Sequence, residues 1–484
     1  MENKKTYILL CFIFLLTLGF RLYFTLQTEN FSSDEAYFHL RQIENIIENK
    51  NLVFYDDLSY GGRDVIYPPF FHALMAVLSF GQIFLLKIIP EIFLAATVFV
   101  VFFVCKSLTQ DNLSSLFSTT AFSFIPLFIG ETINKLSVYS ILIPTIFLLF
   151  YFLSDLKRYA THYIIFSFIL ALTHPIAFLF VIALLFYVLL CLSEEVEISG
   201  LKKEAIVFSI VLVLLIQFIF YKKAFLEYGL AIMWQNIPAN ILADSFRSLT
   251  LFESVFYIGI IPLILGIIGI YIGVFQKKNK LSLLISSLIL STFLLLILRL
   301  MPITEGLLIL GLALAVLSSL TLKTLFNYTQ KLRFAKLKII IPAMIFILIV
   351  IFSIWPSYLV IKNVSFLHDQ VINDMEWIKE NTGKRSVVLA NINEGNLITA
   401  IAERRNVIDS NFLLAPHPKD RLEDVNLLYS TQIEAKSIEL LKKYNINIIY
   451  LSEETKNAYN IETLLYYNKD CFQKRRIRIY EFVC

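Results

Sequence analysis

The sequence has few charged residues. Asp, Glu, Lys and Arg make up 17% of the 484 residues, whereas 57% are hydrophobic, and the mean hydropathy is +0.71. Since soluble domains are about one quarter charged, this composition excludes an ordinary soluble protein. The formal net charge is only +4, and the basic residues are spread over short loops, which argues against nucleic-acid binding. The composition indicates a multi-pass protein of the cell membrane.

The first apolar run lacks the small-residue cleavage site of a signal peptide. It covers residues 7–26 and follows Lys4 and Lys5, so we expect a retained helix with a cytoplasmic N-terminus. Further apolar runs of spanning length raise the expected number of transmembrane helices to about eleven. These runs begin near Pro90, Asn112, Val138, His162, Pro175, Ala205, Ser254, Leu281, Ile303 and Ile339.

The positions of the basic residues set the orientation of these helices, because Lys and Arg collect in short cytoplasmic loops. An inside start assigns to the cytoplasm the basic residues within 157–158, 202–203, 277–280 and 323–338. The assignment holds only if residues 68–89 do not cross the membrane, so we expect a re-entrant or surface-lying segment there, on the outer side. The odd number of spans then places the C-terminus outside.

The composition changes from about Lys362 onwards. We divide the chain into a transmembrane domain, residues 1–361, whose first outer loop is 27–89, and an extracytoplasmic α/β domain, residues 362–484, long enough for a small core. The pattern predicts helices at 369–380 and 433–444 and strands at 386–390, 407–408 and 446–451.

Cysteine is scarce, with five residues in the whole chain. Cys11, Cys105 and Cys191 fall in apolar runs and are expected to pack as small apolar side chains. Cys471 and Cys484 fall in the extracytoplasmic domain, where an oxidising compartment permits a disulfide. The sequence leaves open whether they pair.

Four outer segments carry unusual polar residues: the stretch 34–41 (DEAYFHLR), the stretch 131–135 (ETINK), the segment before Ser254 with Glu253, and Arg299. Ionisable groups at membrane depth cost a few kcal/mol unless they are paired or solvated, so they are functional candidates. Alternatively, each one caps or anchors its own helix at the headgroup layer. Because all four lie on one side, we favour a single site.

Carboxylates and an arginine in an outer cavity suit an amphiphilic substrate with an anionic head. Arginine forms a planar donor fork for phosphate, and carboxylates either hold a bridging cation or act as a general base. Glycosyl transfer from a polyprenyl-phosphate sugar needs both functions, since the leaving phosphate must be stabilised and a weak nucleophile activated.

Residues 35–41 (EAYFHLR), with Tyr67-Pro68-Pro69 further on, resemble the first-outer-loop motif D-P-Y-Y-H-L-R of archaeal oligosaccharyltransferase catalytic subunits. Residues 34–36 (DEA) are similar to the opening motif of the protein mannosyltransferase and aminoarabinose transferase branches. All are C-type, multi-spanning glycosyltransferases. Residues 250–253 (TLFE) are similar to their T-x-x-E motif, and Arg299 resembles their lipid-phosphate arginine. In the tail, residues 377–382, 398–404 and 444–451 resemble the archaeal external domain.

The resemblance implies transfer of a sugar or glycan from a polyprenyl phosphate or pyrophosphate to a protein, glycan or lipid acceptor on the outer face, among membrane lipids. It places the first catalytic carboxylate on Glu35, with Asp34 as the alternative, and a further one on Glu253. It assigns the donor phosphate to Arg299, and Lys135 is a further candidate for that role. The residues expected to contact or position the acceptor are His39, Arg41, Glu131 and Asn134.

Two departures from the family pattern limit what it implies. In the second outer loop, residues 130–135 (GETINK) place Ile and Lys where the D-N-E metal ligands would stand. Mg²⁺ or Mn²⁺, if used, is therefore expected only at Glu35 and Asp34, and one hypothesis is that Lys135 supplies the positive charge instead. Residues 391–395 (NINEG) keep only the glycine of the sequon-reading W-W-D-Y-G motif, so recognition of Asn-x-Ser/Thr acceptors is not expected.

A second hypothesis is a non-catalytic membrane protein, either a degenerate relative that binds lipid-linked glycan or a transporter. The lost motifs keep it open, whereas the absence of charged or glycine-broken spans near the bilayer middle argues against transport. No second histidine lies at ligand spacing from His39, so we expect no zinc site. His174, in Thr173-His174-Pro175, is expected to cap a proline-ended helix.

Overall fold

The computed structural model describes residues 3–246, 249–332, 336–363 and 369–484. A large helical part is followed by a small mixed sheet with helices around it. The helices within these ranges are α1 (Asn3–Thr25), α2 (Asp34–Asn49), α3 (Phe70–Ser79), α4 (Ile83–Thr109), α5 (Asn112–Ser123), α6 (Pro126–Thr132), α7 (Tyr139–Ser154), α8 (Leu156–Ala171), α9 (Ala177–Ser193), α10 (Gly200–Tyr228), α11 (Ala239–Ser245), α12 (Leu251–Ile258), α13 (Ile260–Tyr271), α14 (Lys280–Ile297), α15 (Ile303–Gln330), α16 (Leu337–Ile349), α17 (Trp355–Asn363), α18 (Asp369–Asn381), α19 (Gly395–Leu397), α20 (Pro418–Ser430), α21 (Glu434–Lys443) and α22 (Glu453–Tyr459).

Within the described ranges, six helical segments are long and apolar enough to cross a membrane: Lys4–Thr25, Ile83–Thr109, Gly200–Trp234, Lys280–Ile297, Ile303–Gln330 and Leu337–Lys362. Two bent pairs raise the number to eight, because α5 with α6 (49° bend) and α12 with the helix Ile260–Gln276 (85° bend) each qualify together. Three shorter apolar helices, α3, α7 and α9, accompany them. The chain is thus a multi-pass membrane protein, while the number eleven and the orientation stay predictions.

The segment that was expected to stay on one side of the membrane is a short helix followed by a reversal. Helix α3 has ten residues, about 15 Å of helix, half the thickness of the bilayer core. Phe80 and Gly81 then adopt left-handed backbone conformations (φ 50° and 80°), and α4 begins at Ile83. The predicted span at Pro90 therefore begins seven residues earlier, with Pro90 inside the helix.

A buried ion pair joins α1, α4 and the second outer loop. The Arg21 Nε donates to Glu91 Oε2 at 2.6 Å, and the two side chains are 0% and 2% exposed. Thr132 accepts from the Arg21 guanidinium at 2.8 Å, and the backbone N–H of Asn134 donates to Glu91 Oε1 at 2.8 Å. Since an unpaired charge here would be costly, this pair fixes the second outer loop against the helices.

The tail forms a five-stranded mixed sheet in the order β4 (Arg405–Asn406), β3 (Val387–Leu389), β5 (Ile446–Tyr450), β7 (Ile479–Phe482) and β6 (Phe472–Lys474). β3 pairs in parallel with β4 and β5, whereas β7 pairs antiparallel with β5 and β6. Four of the five predicted tail elements match to within one residue at each end. The strand expected at 407–408 lies two residues earlier, as β4, because Val407 and Ile408 already turn into the core.

Cys471 and Cys484 form a disulfide, which decides the question that the sequence left open. It ties the end of the chain to β6. The predicted domain boundary lies at the end of α17, beside residues 364–368, which are outside the described residues. That division of the chain stays a prediction.

The first outer loop and the tail share one core. Apolar side chains of α2, among them Tyr37 and Leu40, pack in the same cluster as Met375, Val388 and Leu397. The loop also contains a short antiparallel pair of two-residue strands, β1 (Tyr55–Asp56) and β2 (Arg63–Asp64). Polar contacts reinforce the packing, and we call them the loop–tail clamp: Asp34, Arg41 and Arg63 of the loop with residues 396–413 of the tail. The loop is thereby held between the helices and the sheet.

Candidate active site

Helix α2 begins where the sequence changes from apolar to polar. Ser33 is extended, and the first turn carries Asp34 and Glu35, which favours a helix N-terminus because carboxylates offset the positive end of its dipole. Adjacent residues on a helix point about 100° apart. The two neighbouring carboxylates consequently face different surroundings.

Glu35 is exposed at the start of α2. Its side chain is 77% exposed, and its Oε1 lies 3.8 Å from Nε2 of His39, one helical turn further along. Hydrogen bonding from His39, together with the electrostatic influence of His39 and Lys135, holds the pKa of Glu35 below its usual value. This carboxylate is therefore ionised and accessible, as a catalytic base or an acceptor-binding group must be.

The loop of residues 130–135 brings a cation close to Glu35. Lys135 Nζ lies 3.0 Å from Glu131 Oε2, and its flanking residues Asn134 and Leu136 adopt left-handed conformations (φ 57° and 49°). Asn134 holds this turn in place, since its Nδ2 donates to the Asn30 carbonyl at 2.9 Å. Of the expected residues, Lys135 and Glu131 thus join Glu35 and His39, and Asn134 has a positioning contact.

Four residues that the sequence interpretation did not place in the site complete it. His174 and Glu305 share electrostatic interactions with Glu35, and Tyr139 interacts with Glu305, while His72 contacts His39. The Nδ1 of His174 also accepts from the Ile176 N–H at 3.2 Å, before the start of α9 and not at the end of α8, and burial lowers its pKa to about 4. We define the Glu35 cluster as Glu35, His39, Glu131, Lys135, Tyr139, His174 and Glu305.

Asp34 faces the tail. Its Oδ2 accepts from Asn396 Nδ2 at 2.6 Å, and its Oδ1 accepts from the Leu397 N–H at 3.0 Å. Burial raises the pKa of Asp34 well above its usual value, against these hydrogen bonds. Asp34 is therefore part of the loop–tail clamp. Its two oxygens are occupied by the tail, so it does not bind a metal ion together with Glu35.

Arg41 also belongs to the loop–tail clamp. Its Nε and Nη2 donate to the two oxygens of Asp56, both at 2.8 Å, and its Nη1 donates to the Thr399 carbonyl at 3.2 Å. A bidentate pair of this kind fixes orientation as well as distance. These contacts hold the Arg41 side chain between the loop and the tail, while its role towards an acceptor stays a prediction.

The segment at the position of the sequon-reading motif is packed inside the tail. Asn391 and Glu394 form a reciprocal helix cap, and Glu394 is 3% exposed. A Cβ at Gly395 would lie 2.3 Å from the Ile408 carbonyl oxygen, so glycine is required there by packing. This packing explains why a glycine stands at position 395, so the residue is not evidence for recognition of an acceptor.

Glu253 and Arg299 lie on other elements. Thr250 and Glu253 form a capping box at the start of α12, with the Thr250 N–H and hydroxyl both 2.8 Å from Glu253 Oε2. The T-x-x-E pattern thus has a local structural role. Arg299 is exposed after α14, next to Ile297 and Leu298, which are 76% and 51% exposed, and its carbonyl accepts from the Trp234 Nε1 at 3.1 Å.

The residues near Glu35 do not match a metal site. Among the described residues, no group of three His, Cys, Asp or Glu side chains could hold a metal ion. Both oxygens of Asp34 accept hydrogen bonds from the tail, and an ammonium group, Lys135, stands where the family pattern has a ligand. A shared Mg²⁺ or Mn²⁺ at Glu35 and Asp34, as the sequence allowed, is not supported by this geometry.

No family model and no curated protein matches the chain, but solved structures share its fold. The oligosaccharyltransferase of Archaeoglobus fulgidus, tethered with an acceptor peptide containing the NVT sequon, matches with TM-score 0.68 and 13% identity over 94% of this chain and 70% of that one. The same enzyme with Zn and sulfate gives 0.63 and 14% over 91% and 67%. ArnT from Cupriavidus metallidurans, bound to undecaprenyl phosphate, gives 0.58 and 10% over 99% and 98%. The chain thus has the fold of C-type glycosyltransferases.

Proposed function

We propose that this protein is a membrane glycosyltransferase that transfers a sugar or glycan from a polyprenyl phosphate or pyrophosphate to an acceptor on the outer face of the membrane. The observation that carries the proposal is Glu35: an ionised, exposed carboxylate in the first outer loop, on the fold of C-type glycosyltransferases, with Lys135 and His39 beside it. The solved relatives support the donor class, since one was crystallised with undecaprenyl phosphate.

In the proposed reaction, an acceptor O–H or N–H group lies against Glu35. The acceptor atom attacks C1 of the sugar, the bond from C1 to the phosphate oxygen breaks, and the phosphate leaves with the electron pair. The acceptor's proton passes to the Glu35 carboxylate. Lys135 and Arg299 stabilise the negative charge of the leaving phosphate, and the apolar surface beside Arg299 accommodates the start of the lipid chain.

Lys135 takes the place of a divalent cation in this proposal. Its ammonium group is held by Glu131 at 3.0 Å and acts electrostatically on Glu35, so positive charge is already present where the phosphate would leave. Glu253 is assigned to the acceptor side of the site on the family pattern. The acceptor is not expected to be an Asn-x-Ser/Thr sequon, because residues 391–395 are packed within the tail.

The test is Glu35→Gln, which keeps the shape of the side chain and removes its charge. Full-length protein in nanodiscs is incubated with a pool of lipid-linked sugars, and released polyprenyl phosphate is measured by mass spectrometry. We expect the rate to fall roughly 10²- to 10⁴-fold, the usual size of a general-base contribution. The matched control is Glu48→Gln, an exposed glutamate on the opposite side of the same helix, which should leave the rate unchanged.

A non-catalytic glycan-binding protein is the competing function, and the loss of the metal-binding and sequon-reading motifs is the observation that favours it. This function predicts that the wild-type protein binds lipid-linked sugars but releases no polyprenyl phosphate from them. Equal rates for the wild type and Glu35→Gln would also reject the proposed mechanism.

A further inference from the structure

The loop between β6 and β7 is basic and carries one apolar residue. Residues 474–478 (KRRIR) place four cations around Ile477, and we call them the basic turn. Ile477 is 75% exposed, and the side chains of Arg475 and Arg476 are 46% and 42% exposed. Apolar side chains flanked by Lys and Arg are the composition that binds anionic lipid surfaces.

Nearby carboxylates neutralise the basic turn only in part. Within the described residues, three of them lie between 2.6 and 3.5 Å from its arginines: Asp374, Glu453 and Glu481. Asp374 is shared between Arg476 and Arg478, at 3.4 and 3.5 Å. Glu453 also pairs with Lys456, at 3.0 Å. Five cations therefore face three carboxylates, and the turn keeps a positive charge.

The basic turn is held against the first turns of α18. The Nη2 of Arg478 donates to Gln370 Oε1 at 2.9 Å, and the Nη1 of Arg476 donates to the Asn373 carbonyl at 3.3 Å. The guanidinium of Arg476 also lies 5.5 Å from the centroid of the Trp377 ring. These contacts fix the height of the turn relative to the start of α18.

The start of α18 lies where the spanning helices end. Asp369, its first residue, accepts from Asn30 Nδ2 at 3.1 Å, and Asn30 follows the end of α1 by five residues. Since Gln370 is the next residue, Arg478 lies close to this level. Both α1 and the last span are exposed to lipid, because only 28% and 11% of their most apolar stretches are buried.

The direction of the strands gives the same placement. β3 and β5 are parallel, and residues 396–397, which follow β3, contact Asp34 at the start of α2. The carboxyl end of β5 lies at the same end of the sheet, where the Leu451 N–H donates to the Arg478 carbonyl at 2.8 Å. This end faces the membrane, whereas the disulfide lies at the opposite end of β6 and β7.

We propose that the basic turn binds anionic lipid headgroups on the membrane face where the tail lies. Guanidinium groups match the geometry of phosphate oxygens, and Ile477 reaches the boundary between headgroups and acyl chains. The contact holds the tail, and the first loop that is clamped to it, at a fixed height over the membrane. This anchoring does not depend on the proposed transferase function.

Photocross-linking tests where the turn lies. Full-length protein with p-benzoylphenylalanine in place of Ile477 is placed in phosphatidylcholine nanodiscs with about one quarter phosphatidylglycerol, irradiated and analysed by mass spectrometry. We expect cross-links to phospholipid. The same probe at Val483, which is 47% exposed at the other end of the hairpin, should give none. Absence of lipid cross-links at position 477, or cross-links to a second copy of the chain instead, would overturn the proposal.

The charge of the turn should select the lipid. Phosphatidylglycerol should be enriched at least about twofold among the cross-linked lipids relative to the bilayer. Arg475→Gln combined with Arg476→Gln should remove this enrichment. The control, Lys384→Gln combined with Arg385→Gln, takes the same charge from an exposed loop beyond the far end of α18 and should keep it. Unchanged enrichment in the first variant would contradict the arginine contacts.

Trypsin cleavage of the wild-type protein provides a test without any substitution. Cleavage after Arg475 and Arg476 should be at least roughly fivefold slower in nanodiscs with phosphatidylglycerol than in pure phosphatidylcholine, because lipid-bound arginines are inaccessible to the protease. Cleavage after Lys384 and Arg385 should not slow down. High salt should remove the protection, since it screens the attraction. An equal effect of the lipid on both sites would overturn the proposal.

Discussion

The loop–tail clamp and the Glu35 cluster are both rich in charge, but they use it in opposite ways. In the clamp, Arg63 and Asp409 are 2% and 1% exposed and paired at 3.2 Å, and Ser59 and Asn406 also donate to Asp409. The Glu35 cluster contains three carboxylates and one lysine, and Glu35 is exposed. Paired and buried charges fix the shape of the loop, whereas the unbalanced and accessible ones remain available to a substrate.

The largest effect on stability is expected where the clamp loses half of a buried pair. Asp409→Ala leaves Arg63 buried without its partner, so the free energy of unfolding should fall by about 3–5 kcal/mol, measured by thermal and chemical unfolding in detergent. The control, Asp420→Ala, removes an exposed carboxylate near His417 and should cost less than about 1 kcal/mol. Equal losses would show that the clamp does not hold the loop.

Substitutions in the Glu35 cluster should lower the transfer rate and hardly change the free energy of unfolding. Lys135→Met is expected to lower the transfer rate about a hundredfold, because it removes the charge assigned to the leaving phosphate. Stability should change by less than about 1 kcal/mol, since Lys135 pairs with a partly exposed glutamate. Lys379→Met, which breaks a comparable pair with Glu403 in the tail, is the control. Complete loss of wild-type activity in chelator would contradict the role of Lys135.

The sequence predicts the local features well. The pattern predicts a functional carboxylate within residues 34–41, and the structure shows Glu35 exposed, with Lys135 of the second loop acting on it electrostatically; its catalytic role stays a prediction. The helices and strands of the tail follow their apolar patterns. Such features depend on residues close together in the chain, which a pattern can reveal.

The distant contacts could not be predicted in the same way. Asp34 and Glu35 are adjacent carboxylates in the sequence, and only the position of Asn396, more than 360 residues away, shows that Asp34 faces the tail. His72, His174 and Glu305 reach His39 and Glu35 from three separate elements. An acidic residue in the first turn of an apolar helix marks Glu305 as unusual, but its partners depend on how the helices pack. The T-x-x-E motif is the opposite example. Its Thr250 and Glu253 form a capping box within one turn of α12, which explains the motif without any contact to a distant residue.

The division of roles between Asp34 and Glu35 is tested most directly by measuring unfolding and transfer together for Asp34→Ala and Glu35→Gln. Asp34→Ala removes the acceptor of Asn396 and Leu397 and should lower the free energy of unfolding by about 1–3 kcal/mol. Glu35→Gln should leave it within about 0.5 kcal/mol and lower the transfer rate at least about a hundredfold. The opposite pattern, with Asp34→Ala fully stable and inactive and Glu35→Gln active, would contradict the account.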